Sequence, residues 1–119
     1  MHLKNVTFMV RDLEKSIEFY ETMTELKISR RFTAGPGELA FLTNGEGATQ
    51  IELVYMPGGQ KFEGKGFTLI FETDKLDEMH EFAQSKGLNP SDIHFPDPQN
   101  RYFFVYDPDG VSVELKQKI

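Results

Sequence analysis

The chain contains no cysteine and no tryptophan. Without thiols it can have no disulfide, no thiolate nucleophile and no cysteine-based metal site, and that usage fits a reducing compartment. Positive charge is also scarce, with 13 Lys and Arg against 19 Asp and Glu and a net charge of −6. A nucleic-acid surface needs clustered Lys and Arg, so no nucleic-acid partner is expected. No apolar run approaches the roughly 18 residues of a membrane span. The opening Met1-His2-Leu3-Lys4-Asn5 has no apolar signal-peptide core. The expectation is a soluble, cytoplasmic protein with no membrane partner.

What the chain does have is an ordinary globular composition, 39% hydrophobic and 27% charged, with eleven Phe and four Tyr. Its 119 residues allow one domain with one real core. Leu3 to Val10 reads as a strand. Asp12 is the expected N-cap of a helix whose Leu13, Ile17 and Tyr20 share one face. Strands are expected over 27–32, 38–42 and 48–55, with turns at Gly35-Pro36-Gly37 and Asn44 to Gly47. Residues 57–65, rich in glycine, read as a connector. The pattern then restarts with a strand over 66–73, a cap at Asp74, and a helix with Leu76, Met79, Phe82 and Ala83 on one stripe. Strands over 90–95, 101–106 and 111–116 follow, the last two joined by a turn at Asp107-Pro108-Asp109-Gly110.

The chain thus repeats itself. Ile51-Glu52-Leu53 recurs sixty-two positions later as Val113-Glu114-Leu115, and the same offset relates Asn5 to Phe67 and Asp12 to Asp74. Two βαβββ units, 1–56 and 66–119, give an α+β fold in which curled mixed sheets surround a cavity. A carboxylate inside a strand is costly unless something offsets its desolvation, so Glu52 and Glu114 mark the candidate site. Strand alternation places Gln50 and Val54 with Glu52, Ser112 and Lys116 with Glu114, Thr7 and Met9 with Asn5, and Leu69 and Phe71 with Phe67. The opposite parity (Val6, Phe8, Val10, Ile51, Leu53, Tyr55, Val113, Leu115) is the expected core beneath the helices.

Asn5-Val6-Thr7-Phe8-Met9-Val10 before Asp12 to Tyr20, Ile51-Glu52-Leu53, and Tyr106 to Gly110 before Val113-Glu114-Leu115 together resemble the vicinal oxygen chelate superfamily. That superfamily includes glyoxalase I, extradiol dioxygenases, epimerases and bleomycin-resistance proteins. The resemblance implies a His opening the first strand of each unit and a Glu in the last strand of each, jointly holding a divalent metal. Here those positions hold Asn5, Glu52, Phe67 and Glu114. Both acids are kept and both imidazoles are gone. Zinc, nickel and iron favour imidazole, and Phe67 supplies no donor. Asn5, Glu52 and Glu114 could form a weak site for a harder ion. The expected cofactor is therefore none, or a weakly bound divalent metal.

Two functions follow from the resemblance. One is a metal-independent binding protein for a small, partly aromatic ligand, with Asn5, Thr7, Met9, Gln50, Phe67, Leu69, Phe71 and Ser112 lining its site. The other is a lyase or isomerase resembling lactoylglutathione lyase or an epimerase, with catalytic Glu52 or Glu114 as base. The resemblance also implies a homodimer. Among the three histidines, His2 reads as a terminal surface residue, His80 as solvated and His94 as a surface residue near the cavity mouth. Arg30 and Arg31 could meet an anion, but as neighbours they point to opposite faces. The aromatic strand Tyr102, Phe103, Phe104, Tyr106 offers one side to a core and the other to a planar ligand.

Overall fold

The computed structural model describes residues 1–59 and 63–118, so residues 60–62 of the expected connector lie outside the described residues. The elements run in the expected order: β1 (Asn5–Met9), α1 (Leu13–Met23), β2 (Lys27–Ala34), β3 (Gly37–Thr43) and β4 (Gln50–Tyr55). Then come β5 (Thr68–Thr73), α2 (Leu76–Ser85), β6 (His94–Asp97), β7 (Asn100–Tyr106) and β8 (Ser112–Gln117). The chain divides into two compact units, Met1–Glu63 and Gly64–Ile119. Each holds a four-stranded sheet, ordered β1-β4-β3-β2 in the first and β5-β8-β7-β6 in the second. In both, the first strand pairs in parallel with the last and the other pairings are antiparallel. Neither sheet closes. The class is α+β, and no helix among the described residues is long and apolar enough to cross a membrane.

In the first unit, the Asp12 carboxylate accepts the Lys15 backbone N–H at 3.0 Å and starts α1. The buried face of α1 holds Leu13, Ile17, Phe19, Tyr20 and Met23. Beneath it lie Phe8, Val10, Ile51 and Leu53, all buried, as alternation requires. Full burial of one such side chain contributes about 1.5–3 kcal/mol, so this face is what holds the helix to its sheet. The Tyr20 ring meets Phe19 and Phe8 edge-on at 5.0 and 6.1 Å.

The second unit repeats the plan with Leu76 and Ala83 buried on α2, and Phe103, Val105, Val113 and Leu115 buried in the sheet. His80 departs from the expected solvated position. Its Nε2 lies 2.8 Å from the Ser91 carbonyl, and its ring meets Phe103 edge-on at 4.9 Å. The reason is helical spacing: one turn from Leu76 and one from Ala83, position 80 falls on the packed stripe. The turn before β8 is fixed by buried Asp107, whose Oδ1 accepts the backbone N–H of Asp109 and of Val111, both at 2.8 Å. Gly110 closes it with φ +89, where glycine alone is unstrained.

Each helix is also tied to its sheet by an arginine. Arg31 on β2 pairs with Glu14 on α1 and with Glu38 on β3. Arg101 on β7 pairs with Asp77 on α2 at 2.8 Å. The hydrogen bond from Arg31 holds the Glu38 carboxyl below its usual range, and that from Arg101 does the same to Asp77.

One element differs in register from the expected repeat. Glu52 and Glu114 keep the sixty-two offset, but α1 and α2 open at Leu13 and Leu76, one residue further apart. The N-cap of α2 is Lys75 and not Asp74; its N–H is bonded by the Thr73 hydroxyl at 3.0 Å. The short strand expected over 90–95 is instead β6 at His94–Asp97. Before it, Ser91 grips the β7 backbone, its N–H donating to Phe104 O and its hydroxyl accepting Phe104 N–H, each at 2.9 Å.

Candidate functional site

Paired residues on neighbouring strands project from the same face of a sheet. In the first unit, Asn5 pairs with Gln50, Thr7 with Glu52 and Met9 with Val54. Glu52 pairs on its other side with Phe41, and Phe41 with Arg30. The face turned away from α1 therefore carries the row Thr7, Glu52, Phe41, Arg30, flanked by Asn5, Met9, Gln50 and Phe32. The expected grouping of Asn5, Thr7, Met9, Gln50 and Glu52 on one face is what the register produces.

Side-chain contacts order that face. The Glu52 Oε1 accepts the Thr7 hydroxyl at 2.6 Å and the Asn5 amide Nδ2 at 3.4 Å. The Asn5 amide also donates to the Thr7 oxygen at 3.0 Å. Gln50 is engaged elsewhere, its Oε1 accepting the Ser29 hydroxyl at 2.8 Å. The Phe32 and Phe41 rings stack at 6.3 Å, with the Arg30 guanidinium 4.5 Å above Phe41. Met9 is 41% exposed and Phe32 44%. The result is a half-buried carboxylate in a mixed apolar and aromatic surface.

In the second unit the register corrects the expected facing. Thr68 pairs with Ser112, Ile70 with Glu114 and Glu72 with Lys116. Leu69 and Phe71 pair with Val113 and Leu115, the buried residues on the α2 side. Leu69 and Phe71 thus belong to the core face and not beside Glu114. Phe67 precedes β5 and is outside the ladder, so the residue in register with Asn5 is Thr68. Glu114 has Ile70 on one side and Phe104 on the other, neither with a side-chain donor. Ser112 lies on the Glu114 face, as expected.

That face also carries the outward side of the aromatic strand 102–106, with Phe103 buried on the other side as expected, and His94 joins it. Tyr102 pairs with Lys116 and with His94. The His94 ring stacks on Tyr102 at 5.2 Å and meets Phe104 edge-on at 5.8 Å, while Tyr102 meets Phe104 at 5.7 Å. Tyr106, 62% exposed, extends the same row. The alternating aromatics of 102–106 were the available signal; His94 joins them only through the β6 pairing.

The positions that the resemblance assigned to a metal therefore hold Asn5 and Glu52 in the first unit, Thr68 and Glu114 in the second. Each unit supplies one carboxylate and one neutral polar group, and neither supplies an imidazole. Asn5 donates its amide N–H to Glu52 at 3.4 Å. Among the described residues, no three His, Asp or Glu side chains gather into a ligand cluster. Zinc, nickel and iron favour imidazole and thiolate donors, whereas harder ions accept carboxylate and neutral oxygen donors of the kind each unit carries.

Comparison with known proteins agrees with the fold. The model of the Glyoxalase/Bleomycin resistance protein/Dioxygenase superfamily matches residues 2–115. The chain is 34% identical over 116 residues to YwbC, an uncharacterized protein of Bacillus subtilis, covering 92% of each. It is 30% identical over 128 residues to a lactoylglutathione lyase of Neisseria meningitidis, covering 99% of this chain and 91% of the relative. Its fold matches that of TnmS3, an antibiotic binding protein from Streptomyces, with a TM-score of 0.78 at 22% identity, covering 100% of this chain and 97% of that one. The chain belongs to the glyoxalase/bleomycin resistance protein/dioxygenase superfamily.

Proposed function

We propose that the protein binds a small, partly aromatic molecule and does so without a tightly held transition metal. The observation that carries this reading is the engagement of Glu52, whose Oε1 is held by the neutral donors Thr7 and Asn5. A carboxylate so oriented is suited to receive a hydrogen bond or a positive charge from a ligand. Beside it, Phe32 and Met9 offer exposed apolar surface. In the second unit, Tyr102, Phe104 and His94 offer stacking surface on the Glu114 face. In this reading Glu52 is the ligand anchor of the first unit, with Asn5, Thr7, Met9 and Gln50 beside it, and Glu114 that of the second, with Ser112 and Thr68, which has Phe67's expected place.

A lyase or isomerase is the second reading, favoured by the lactoylglutathione lyase relative. Glu52 or Glu114 would then take a proton from a carbon acid. That chemistry also needs an electrophile for the developing oxyanion. The neutral donors beside Glu52 are the Thr7 hydroxyl and the Asn5 amide, which are weak substitutes for a metal ion.

The test is a thermal-shift and NMR screen of aromatic small molecules against the wild type, Glu52→Gln and Glu114→Gln. At least one compound should stabilise the wild type, with affinity about tenfold weaker in Glu52→Gln, as expected when a charge-assisted contact is lost. Turnover of lactoylglutathione by the wild type, abolished in both variants, would overturn the binding reading in favour of the enzyme.

A further inference from the structure

We infer that the edge of the first sheet where β1 and β4 begin is a binding site for an anionic group, a phosphate or carboxylate carried by a small molecule. An open cleft of about 420 Å³ lies there, lined by His2, Lys4, Ser29, Arg30, Glu46 and Gln50 among others. Three of these side chains can carry positive charge and one is an acid, in a chain whose net charge is −6. Local positive charge against an acidic background focuses an anion on this cleft.

The state of Arg30 supplies the second part of the argument. Arg31 and Arg101 have their guanidinium groups engaged by Glu14 and Glu38 and by Asp77. Arg30 is different: its contacts are with the rings of Phe41 at 4.5 Å and Phe32 at 5.6 Å, and no carboxylate among the described residues meets it. Stacking uses the face of a guanidinium and leaves its in-plane N–H groups for an acceptor. An arginine held this way is pre-oriented, so less freedom is lost when an anion docks. Gln50 contributes as well. Its oxygen is taken by the Ser29 hydroxyl at 2.8 Å, which leaves the amide NH2 as a donor in the same cleft.

Register fixes where the rest of such a ligand would lie. Arg30, Phe41 and Glu52 form one row across β2, β3 and β4. An anion is repelled by Glu52 and attracted to Arg30, so the charged head belongs at the Arg30 end. A neutral or cationic remainder extends over Phe41 toward Glu52. Arg31, one residue on, points to the α1 face and takes no part.

The experiment titrates the full chain with inorganic phosphate, and separately with benzoate, following backbone amides and the Arg30 Nε–H by NMR. The expected result is saturable shifts confined to residues around Lys4, Ser29, Arg30 and Gln50, with affinity at least about fivefold weaker in Arg30→Gln. Lys118→Gln, remote in sequence and exposed, should bind as the wild type does. If Arg30→Gln fails to fold, Lys4→Gln carries the test, with a loss of about twofold or more. Tighter phosphate identifies a phosphorylated ligand class, and tighter benzoate an aromatic carboxylate. Shifts scattered over all basic residues, or affinity unchanged in the cleft variants, would overturn the inference. Phosphate alone probes this cleft, so its failure leaves the role proposed for Glu52 standing and its success does not establish that role.

Discussion

Replacing Phe71 and Ile70 by alanine, one at a time, tests the register that decides what surrounds Glu114. The two are sequence neighbours with opposite facing. Phe71 pairs with buried Leu115 on the α2 side, while Ile70 pairs with Glu114 and is 59% exposed. Truncating a fully buried Phe costs about 3–5 kcal/mol. Phe71 is half-buried, so a loss of about 2–3 kcal/mol is expected after scaling for the area it removes from water. Ile70 removes less than half of its surface, and its truncation should cost below about 1 kcal/mol. With a urea slope of about 1–3 kcal/mol per molar, Phe71→Ala should lower the unfolding midpoint by roughly 1 M or more and Ile70→Ala by a few tenths. Equilibrium urea denaturation followed by far-UV circular dichroism reads both. If Ile70→Ala proved the costlier substitution, β5 would have the facing that the sixty-two offset implies, and Leu69 and Phe71 would return to the candidate site.

Asp107→Ala should destabilise by about 2–4 kcal/mol in the same assay, because it removes the acceptor of two buried backbone N–H groups. Asp107→Asn, whose side-chain oxygen can still accept, should cost less; equal losses would contradict the role assigned to the carboxylate. Stability should also fall on acidification. Glu38 and Asp77 have folded-state pKa values held down by Arg31 and Arg101. Their contribution is therefore full above the ordinary carboxylate range of about 4 and is lost as pH drops through the depressed values. The fall should be shallower in 0.5 M salt and in an Arg31→Gln, Arg101→Gln double variant. A variant with the wild-type pH profile would show that these pairs do not set it.

The first unit was readable from its residues because each local signal agrees with the next. Asp12 caps, Leu13, Ile17 and Tyr20 repeat at helical spacing, and Phe8, Val10, Ile51 and Leu53 alternate into the core. The grouping of Thr7 and Asn5 with Glu52 follows from parity, while Gln50, on the same face, is held by Ser29. The second unit departs from the repeat at its start for a definable reason. Asp74 matches Asp12 in type, which aligned the caps, but an extra residue before β5 moves the cap to Lys75 and puts Thr68 where Phe67 was expected. Because side chains in a strand alternate, that one residue reverses the facing of Leu69 and Phe71. The place of His94 is not legible in sequence because its neighbours in space, Tyr102 and Phe104, are brought to it by pairing between strands. No periodicity within residues 90–97 carries that information.

The most direct measurement on the proposed function is metal content of protein purified without chelators, followed by calorimetric titration with nickel, zinc, manganese and magnesium. With no imidazole at the positions of Asn5 and Thr68, nickel and zinc should bind at best weakly and substoichiometrically. Manganese and magnesium should bind no tighter than the millimolar range, roughly 4 kcal/mol of binding free energy. Stoichiometric nickel or zinc binding that disappears in Glu52→Gln and Glu114→Gln would contradict the metal-independent reading and make the lyase the working hypothesis.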